Sequence, residues 1–304
     1  MVFPGIDVNF SKGQRMNART APNDVLPHVI AQLNYLAPMA EKPVAYTYDP
    51  PPGVPRSNAS YDAHEVPIRD ARPLRDSLSL DVEGFVLVDH LSAVRDFWDD
   101  DEVRATYYPE TERLIRVLTG ARRASVFDHM RRRRPAHRPP LDGSRSAFSA
   151  VREPVGRVHA DFTTASSPAR ARFVWGDAVE PLLRERFAIL NVWRPLNPEP
   201  LLDAPLAVAD ARSIAPEDLV ASDLVYRERT GETYSVKYNP EHRWFYFPRQ
   251  RGYEAIVFKN FDSATDGKAR VSPHTAFEDP QTPAGAPPRE SIELRVFAFF
   301  GAEA

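Results

Sequence analysis

The chain has 304 residues, 42% of them hydrophobic and 27% charged, and a formal net charge of −3. This balance provides the apolar surface for a sizeable core and excludes a disordered or fibrous chain; acids and bases are interspersed, so no overall basic field gathers a nucleic acid. Cysteine is absent, which excludes disulfides, thiolate zinc sites, iron–sulfur clusters and a cysteine nucleophile, so any metal must be held by nitrogen and oxygen.

Met1 to Gln14 lack a basic segment followed by an apolar run, and no stretch approaches the roughly 18 apolar residues of a membrane helix. The expected setting is cytoplasmic, without membrane or nucleic-acid partners. A chain of this length reads by default as one domain over 1–304, with 1–43 as a wrapping segment and 44–150 as an N-terminal extension to the core. The 30 prolines cluster at Pro50 to Pro55, Pro135 to Pro140, Pro195 to Pro205 and Pro280 to Pro288. Each cluster marks loops and element ends, because proline lacks the backbone donor that an interior position needs.

In chain order, Val25 to Leu36 is compatible with a short amphipathic helix. From Val44 to Val88 the runs are short and strand-like: Ala45 to Tyr48, His64 to Ile68, and Phe85 to Val88 after Gly84. Ser92 is placed to cap a helix carrying Val94, Phe97 and Trp98, and Pro109 to open another, with Leu114, Ile115 and Leu118 inward, that Gly120 ends. Ala124 to Met130 returns to strand composition. The following run Arg131 to Arg134 reads as a solvated loop or an anion contact rather than a nucleic-acid patch, since no aromatics interleave it.

Arg157 to Thr163 alternates as a strand. Ser167-Pro168 then signals a helix with Val179, Leu182, Leu183 and Phe187 on one face. The remaining runs are strand-like: Ile189 to Trp193, Leu206 to Ala209, Thr233 to Tyr238, Trp244 to Phe247, Ala255 to Phe258, Arg270 to Phe277 and Ile292 to Phe300. So many short strands separated by turn signals predict a mainly β barrel or jelly roll with flanking helices. No internal repeat is present.

Of eight histidines, one belongs to a His-x-Asp triplet in a strand-like run, His159-Ala160-Asp161. Residues two apart on a strand share a face, so both side chains can reach one metal ion. His274, in a late strand-like segment, is the candidate third ligand. Two histidines and a carboxylate on one face of a metal leave positions open for dioxygen and a bidentate co-substrate on iron(II). Downstream, Arg289 and Ser291 share a face and can bind the far carboxylate of 2-oxoglutarate, the arginine bidentately. A His-x-Asp triplet alone is a weak signal, because a histidine beside an aspartate is commonly only a hydrogen bond. The ordered set of segments is stronger.

Several words add to that order: Val126-Phe127-Asp128-His129, Val158 to Phe162, Asn191-Val192-Trp193-Arg194-Pro195, His242 to Pro248, Val257 to Asp262 and Pro287 to Glu293. Together, from about Val44 to Phe300, they resemble the iron(II)/2-oxoglutarate-dependent oxygenases typified by the cephem methoxylase component and the fungal meroterpenoid endoperoxide-forming oxygenase. The resemblance implies a double-stranded β-helix (jelly-roll, cupin-like) core that uses Fe(II), 2-oxoglutarate and dioxygen. It implies metal ligands at His159, Asp161 and His274, and a 2-oxoglutarate anchor at Arg289 with Ser291, Arg295 being the fallback by parity. Asn191 and Tyr246 lie in family words and can line the co-substrate pocket or simply pack. The implied reaction is oxidation of an unactivated C–H position of a small natural-product or amino-acid-derived substrate, by hydroxylation, desaturation or cyclisation, with release of succinate and CO2. The alternatives are a cupin-like metal enzyme that does not use 2-oxoglutarate and a non-enzymatic jelly-roll binding domain. Hydrolase motifs are absent: there is no Gly-x-Ser-x-Gly turn and no phosphate-cradling glycine loop. Oligomeric state is not encoded in any pattern found.

Overall fold

The structure, a computed structural model, describes residues 26–141 and 152–301. In chain order its strands are β1 (His28–Leu36), β2 (Val44–Tyr46), β3 (Tyr61–Asp70), β4 (Phe85–Asp89) and β5 (Arg123–Arg133). They continue with β6 (His159–Ala160), β7 (Phe187–Pro195), β8 (Leu206–Ala209), β9 (Leu219–Val225) and β10 (Thr230–Val236). The last four are β11 (Trp244–Tyr246), β12 (Glu254–Asp262), β13 (His274–Ala276) and β14 (Glu290–Phe299). The helices are α1 (Asp100–Glu102), α2 (Tyr108–Thr119), α3 (Ser166–Trp175) and α4 (Glu180–Leu183).

Two sheets form a jelly roll, one of nine strands in the order β1-β3-β11-β8-β13-β6-β10-β9-β2 and one of five in the order β4-β12-β7-β14-β5. Residues 44–150 thus supply β2 to β5, which are hydrogen-bonded into both sheets. Parity along β14 sorts its two faces. Ile292, Leu294, Val296 and Ala298 pack outward with Leu190 and Val192 of β7 under Ile115, Leu114 and Leu118 of α2. The alternate residues Ser291, Glu293 and Arg295 therefore face the other sheet, and between the sheets Trp193, Ile256 and Phe258 meet Leu206, Val208 and Phe245. One side of the interface is sealed by apolar packing, and the row of polar side chains on β14 is carried inside it.

The segment read as a helix near the N-terminus is β1, paired with β3 along its whole length; Val25 lies outside the described residues. Val29, Ala31, Leu33 and Tyr35 alternate as buried positions. The same residues also satisfy a helical spacing through Val29, Leu33 and Leu36, and pairing with β3 selects the period of two. Ser92 does not cap a helix. Its hydroxyl donates to Glu110 at 2.6 Å, and the helical stretch begins at α1, where the Asp99 carboxylate accepts from the backbone of Asp101 and Glu102. The second expectation holds, since α2 ends on Gly120 in the left-handed conformation, φ 72°.

Helix α3 starts at Ser166, where the Thr163 and Ser166 side chains bond each other's backbone N–H at 3.0 and 2.8 Å. It breaks at Gly176, φ 61°, so Val179, Leu182, Leu183 and Phe187 do not share one helix, although they pack in one cluster with Phe297 and Phe299. The arginine run is not a loop either: Arg131 to Arg133 complete β5 against β14, with Arg132 opposite Ser291.

Candidate metal centre

His159 and His274 stand opposite each other across the β6–β13 pair, with ring centroids 4.4 Å apart. Asp161 follows the end of β6, and its Oδ1 lies 3.6 Å from His159 Nε2. One potential ligand atom from each of the three residues falls within 4.8 Å of the others, which is the span one cation bridges. His159 Nδ1 faces the Arg157 carbonyl at 2.9 Å. A carbonyl only accepts, so Nδ1 carries the proton and Nε2 keeps its lone pair for a metal. His274 Nδ1 is buried and makes no hydrogen bond; the Ser272 carbonyl lies toward the ring. Burial holds both imidazoles below the ordinary histidine pKa, His159 most strongly, so both are neutral donors at physiological pH.

Asp161 is the most restrained member. Its backbone N–H donates to Asn260 Oδ1 at 2.9 Å, and Oδ2 accepts from Asn191 Nδ2 at 3.0 Å and Arg295 Nε at 2.9 Å. Burial, the largest single influence, would raise its pKa, but the Arg295 charge, the two neighbouring histidines and the Asn191 hydrogen bond together outweigh it and hold the carboxyl well below its usual range. Asn191 and Arg295 arrive together because they are register partners on β7 and β14.

Two cavities flank the triad. The smaller, about 20 Å³, is lined by His159, His274, Trp193, Arg132, Arg289 and Glu293 among others. Arg289 is 2% exposed; its Nε donates to Ser291 Oγ at 3.1 Å and its Nη1 to the Ala204 carbonyl at 2.8 Å, with the guanidinium 5.0 Å from the Trp193 ring centre. Burial, with the neighbouring Arg132 charge second, pushes its pKa down to about 9. Burial pushes Arg132 down to about 10. Both remain charged at neutral pH. The second cavity, about 470 Å³ and partly continuous with solvent, reaches Asp161 and Arg295 from the other side.

Residues 33–299 match the family described as oxidoreductase/YMDC permease-like domain. The chain is 34% identical over 263 residues to the Fe(II)/2-oxoglutarate-dependent dioxygenase nvfI of Aspergillus novofumigatus, covering 84% of this chain and 90% of that one. The chain belongs to the Fe(II)/2-oxoglutarate-dependent dioxygenases. The dioxygenase also superimposes on the solved iron and alpha-ketoglutarate-dependent endoperoxidase NvfI with a TM-score of 0.79 at 32% identity, covering 90% of this chain and 99% of that one. It is 30% identical over 289 residues to the hydroxylase/desaturase efuI of Hormonema carpetanum, covering 90% of this chain and 96% of that one. The enzyme therefore uses Fe(II), 2-oxoglutarate and dioxygen, which sets aside the readings as a metal enzyme without 2-oxoglutarate and as a non-enzymatic binding domain. The donor set at the triad, two imidazoles and one carboxylate, suits Fe(II) with open positions. No helix among the described residues is long and apolar enough to cross a membrane.

The remaining expected site residues of the dioxygenase divide by position. Arg289 lines the small cavity and donates to the Ser291 hydroxyl, whereas Arg295 is engaged with Asp161, Asp128 and Glu293 and so braces the Asp161 carboxylate. Asn191 likewise holds Asp161. Tyr246 is not brought to the triad. It lies on the face of β11 opposite Phe245, in the cluster with Trp244, and its ring packs 5.4 Å from Phe277. Sequence reasoning missed Arg132 and Asn260. Arg132 and Arg134 share parity with Ser291 across the β5–β14 pair, a signal available once β5 is extended to Arg133. Asn260 carries no local signal, because its role depends on where β12 passes β6.

Proposed function

We propose that His159, Asp161 and His274 hold the Fe(II), and that Arg289, with Ser291 and Arg132, binds the far carboxylate of 2-oxoglutarate. The whole described chain then works as one oxygenase domain on a small natural-product substrate entering through the larger cavity. The observation that carries this reading is the pair of buried guanidiniums beside the two imidazoles. Arg132 and Arg289 make no salt bridge among the described residues, and the single acid lining the cavity, Glu293, also meets Arg295 at 3.4 Å. A buried charge without a partner is costly, so the cavity favours an anionic ligand, and a dicarboxylate that reaches the triad satisfies it.

Bound Fe(II) supplies the oxidation of a C–H bond by dioxygen, coupled to conversion of 2-oxoglutarate to succinate and CO2. The protein's part is placement. The Arg157 carbonyl orients His159, Arg295 and Asn191 keep Asp161 ionised and fixed, and Trp193 with Phe258, whose ring centre lies 4.6 Å from that of His274, walls off water. The relatives include a hydroxylase/desaturase and an endoperoxidase; for this chain we propose oxidation of an unactivated carbon. Anaerobic addition of Fe(II) and 2-oxoglutarate should give the weak visible charge-transfer band of the chelate. His159→Ala and His274→Ala should each remove the band and leave the far-UV circular dichroism unchanged. Full iron affinity in both variants would show that the ligands lie elsewhere.

A further inference from the structure

The larger cavity holds two guanidiniums that the co-substrate chemistry does not use. Arg170 comes from α3 and Arg229 from the turn between β9 and β10, closed by the Tyr226 N–H to the Arg229 carbonyl at 2.8 Å. Both stack on one ring: the Arg170 guanidinium lies 5.3 Å and that of Arg229 5.0 Å from the centre of Phe173. Arg170 is also 5.3 Å from Phe127, and Arg229 is 4.0 Å from Tyr226. Phe173 itself is 62% exposed, so two like charges converge around an aromatic ring that packing alone does not require at the surface.

Neither arginine forms a salt bridge among the described residues, and the acids lining the cavity are engaged elsewhere. Asp128 and Asp161 accept from Arg295 at 3.0 and 2.9 Å. Asp223 and Glu232 pair with Lys42. Asp128 also faces Arg170, but only as a through-space charge. Burial, and after it the Arg229 charge, lowers the Arg170 pKa, the direction expected of a half-buried cation beside another.

Resting on the reading that iron sits at the triad, we propose that the substrate carries a carboxylate, bound between Arg170 and Arg229 at the cavity mouth. Its apolar body then lies over Phe127 and Phe162, whose ring centres are 6.0 Å apart, and leads to Asp161 at the cavity floor. Planar guanidiniums discriminate a carboxylate from a neutral isostere by charge and by paired hydrogen bonds. Arg170 and Arg229 are therefore specificity-determining for which end of the substrate stays outside.

The test uses full-length protein loaded anaerobically with Fe(II) and 2-oxoglutarate, with the visible band confirmed first. Naphthalene-2-carboxylate and 2-naphthylmethanol are then titrated as a charged and a neutral probe by calorimetry. The carboxylate should bind about tenfold more tightly, with a preference that falls as salt rises. In Arg170→Gln and in Arg229→Gln the preference should drop below about threefold, while the 2-oxoglutarate concentration that half-forms the band stays unchanged. Equal binding of the two probes, no binding of either, or a preference that survives both substitutions overturns the proposal when the band is present. Failure of the band in wild-type protein overturns the metal assignment instead, so the two failures are distinct.

Discussion

The two cavities on either side of His159, Asp161 and His274 are built by different means. The smaller is made from side chains inside the sheet interface, with Arg289 and Trp193 at 2% and 1% exposure, and its positive charge comes from Arg132 on β5 and from Arg289 immediately before β14. The larger is made from α3, the β9–β10 turn and the residues after β6, and its arginines are half-buried and stacked on rings. A chamber held between two packed sheets suits a ligand common to every turnover. A cavity whose two unpaired arginines stand on a helix and a hairpin turn can change those residues without disturbing either sheet. On the proposed assignment, co-substrate recognition and substrate recognition are separable in this fold: among the described residues the small cavity takes its share of the triad from His159 and His274 and the large one from Asp161.

The sharpest way to break that comparison is Arg289→Ala. Truncating a buried charged anchor costs roughly 2–4 kcal/mol, so half-formation of the chelate band should need about 30-fold more 2-oxoglutarate or higher, with iron binding retained. An unchanged requirement would transfer the anchor to another cation. Arg295→Met acts on the shared wall instead. Losing the guanidinium that holds Asp161 should weaken Fe(II) by roughly 10- to 100-fold, read by anaerobic iron titration; an effect on 2-oxoglutarate alone would place Arg295 in the small cavity's chemistry.

Arg132→Met should raise the 2-oxoglutarate requirement by about tenfold and stabilise the protein without ligand by about 1 kcal/mol, because it removes one of two like charges buried together. A fall in the melting temperature of the ligand-free protein would contradict that account. The smallest effect is a control remote from both cavities. Burial, with the Arg194 charge second, lowers the His90 pKa to about 4. The unfolded chain takes up this proton near pH 6.5, so stability is full above that pH and falls as pH drops toward 4. Allowing for its partial exposure, the loss is roughly 1–2 kcal/mol. Urea unfolding of wild type and His90→Leu across this range should show the steeper slope in the wild type, the other buried histidines contributing alike to both, with the chelate band alike in both at pH 7.

The convergence of the proposed metal triad was partly readable in the chain. His159 and Asp161 share a strand face by parity, whereas His274 was picked out by its late strand-like segment and by the family resemblance rather than by spacing, and the structure brings the three together. Arg289 and Ser291 follow the same parity. The arginine run was read as a loop or an anion contact; charge composition suggests the loop, whereas pairing with β14 makes Arg131 to Arg133 a strand whose alternate residues turn inward. For the first strand, one pattern of apolar residues satisfied both a helical and a strand period, and only the partner β3 distinguishes them. Tyr246 sits in a family word, yet one step of parity puts it on the far face of β11.

What the chain determined alone was therefore the chemistry available: nitrogen and oxygen ligands without thiols, strand periodicity through most of its length, and the order of histidine, aspartate, histidine and arginine. Only the tertiary structure decided which faces meet. Register across β6–β13 brings His159 opposite His274, register across β7–β14 brings Asn191 and Arg295 to Asp161, and packing of α3 against the β9–β10 turn brings Arg170 to Arg229. Periodicity is set residue by residue, but register is a relation between distant segments, and its free energy exists only once both are packed.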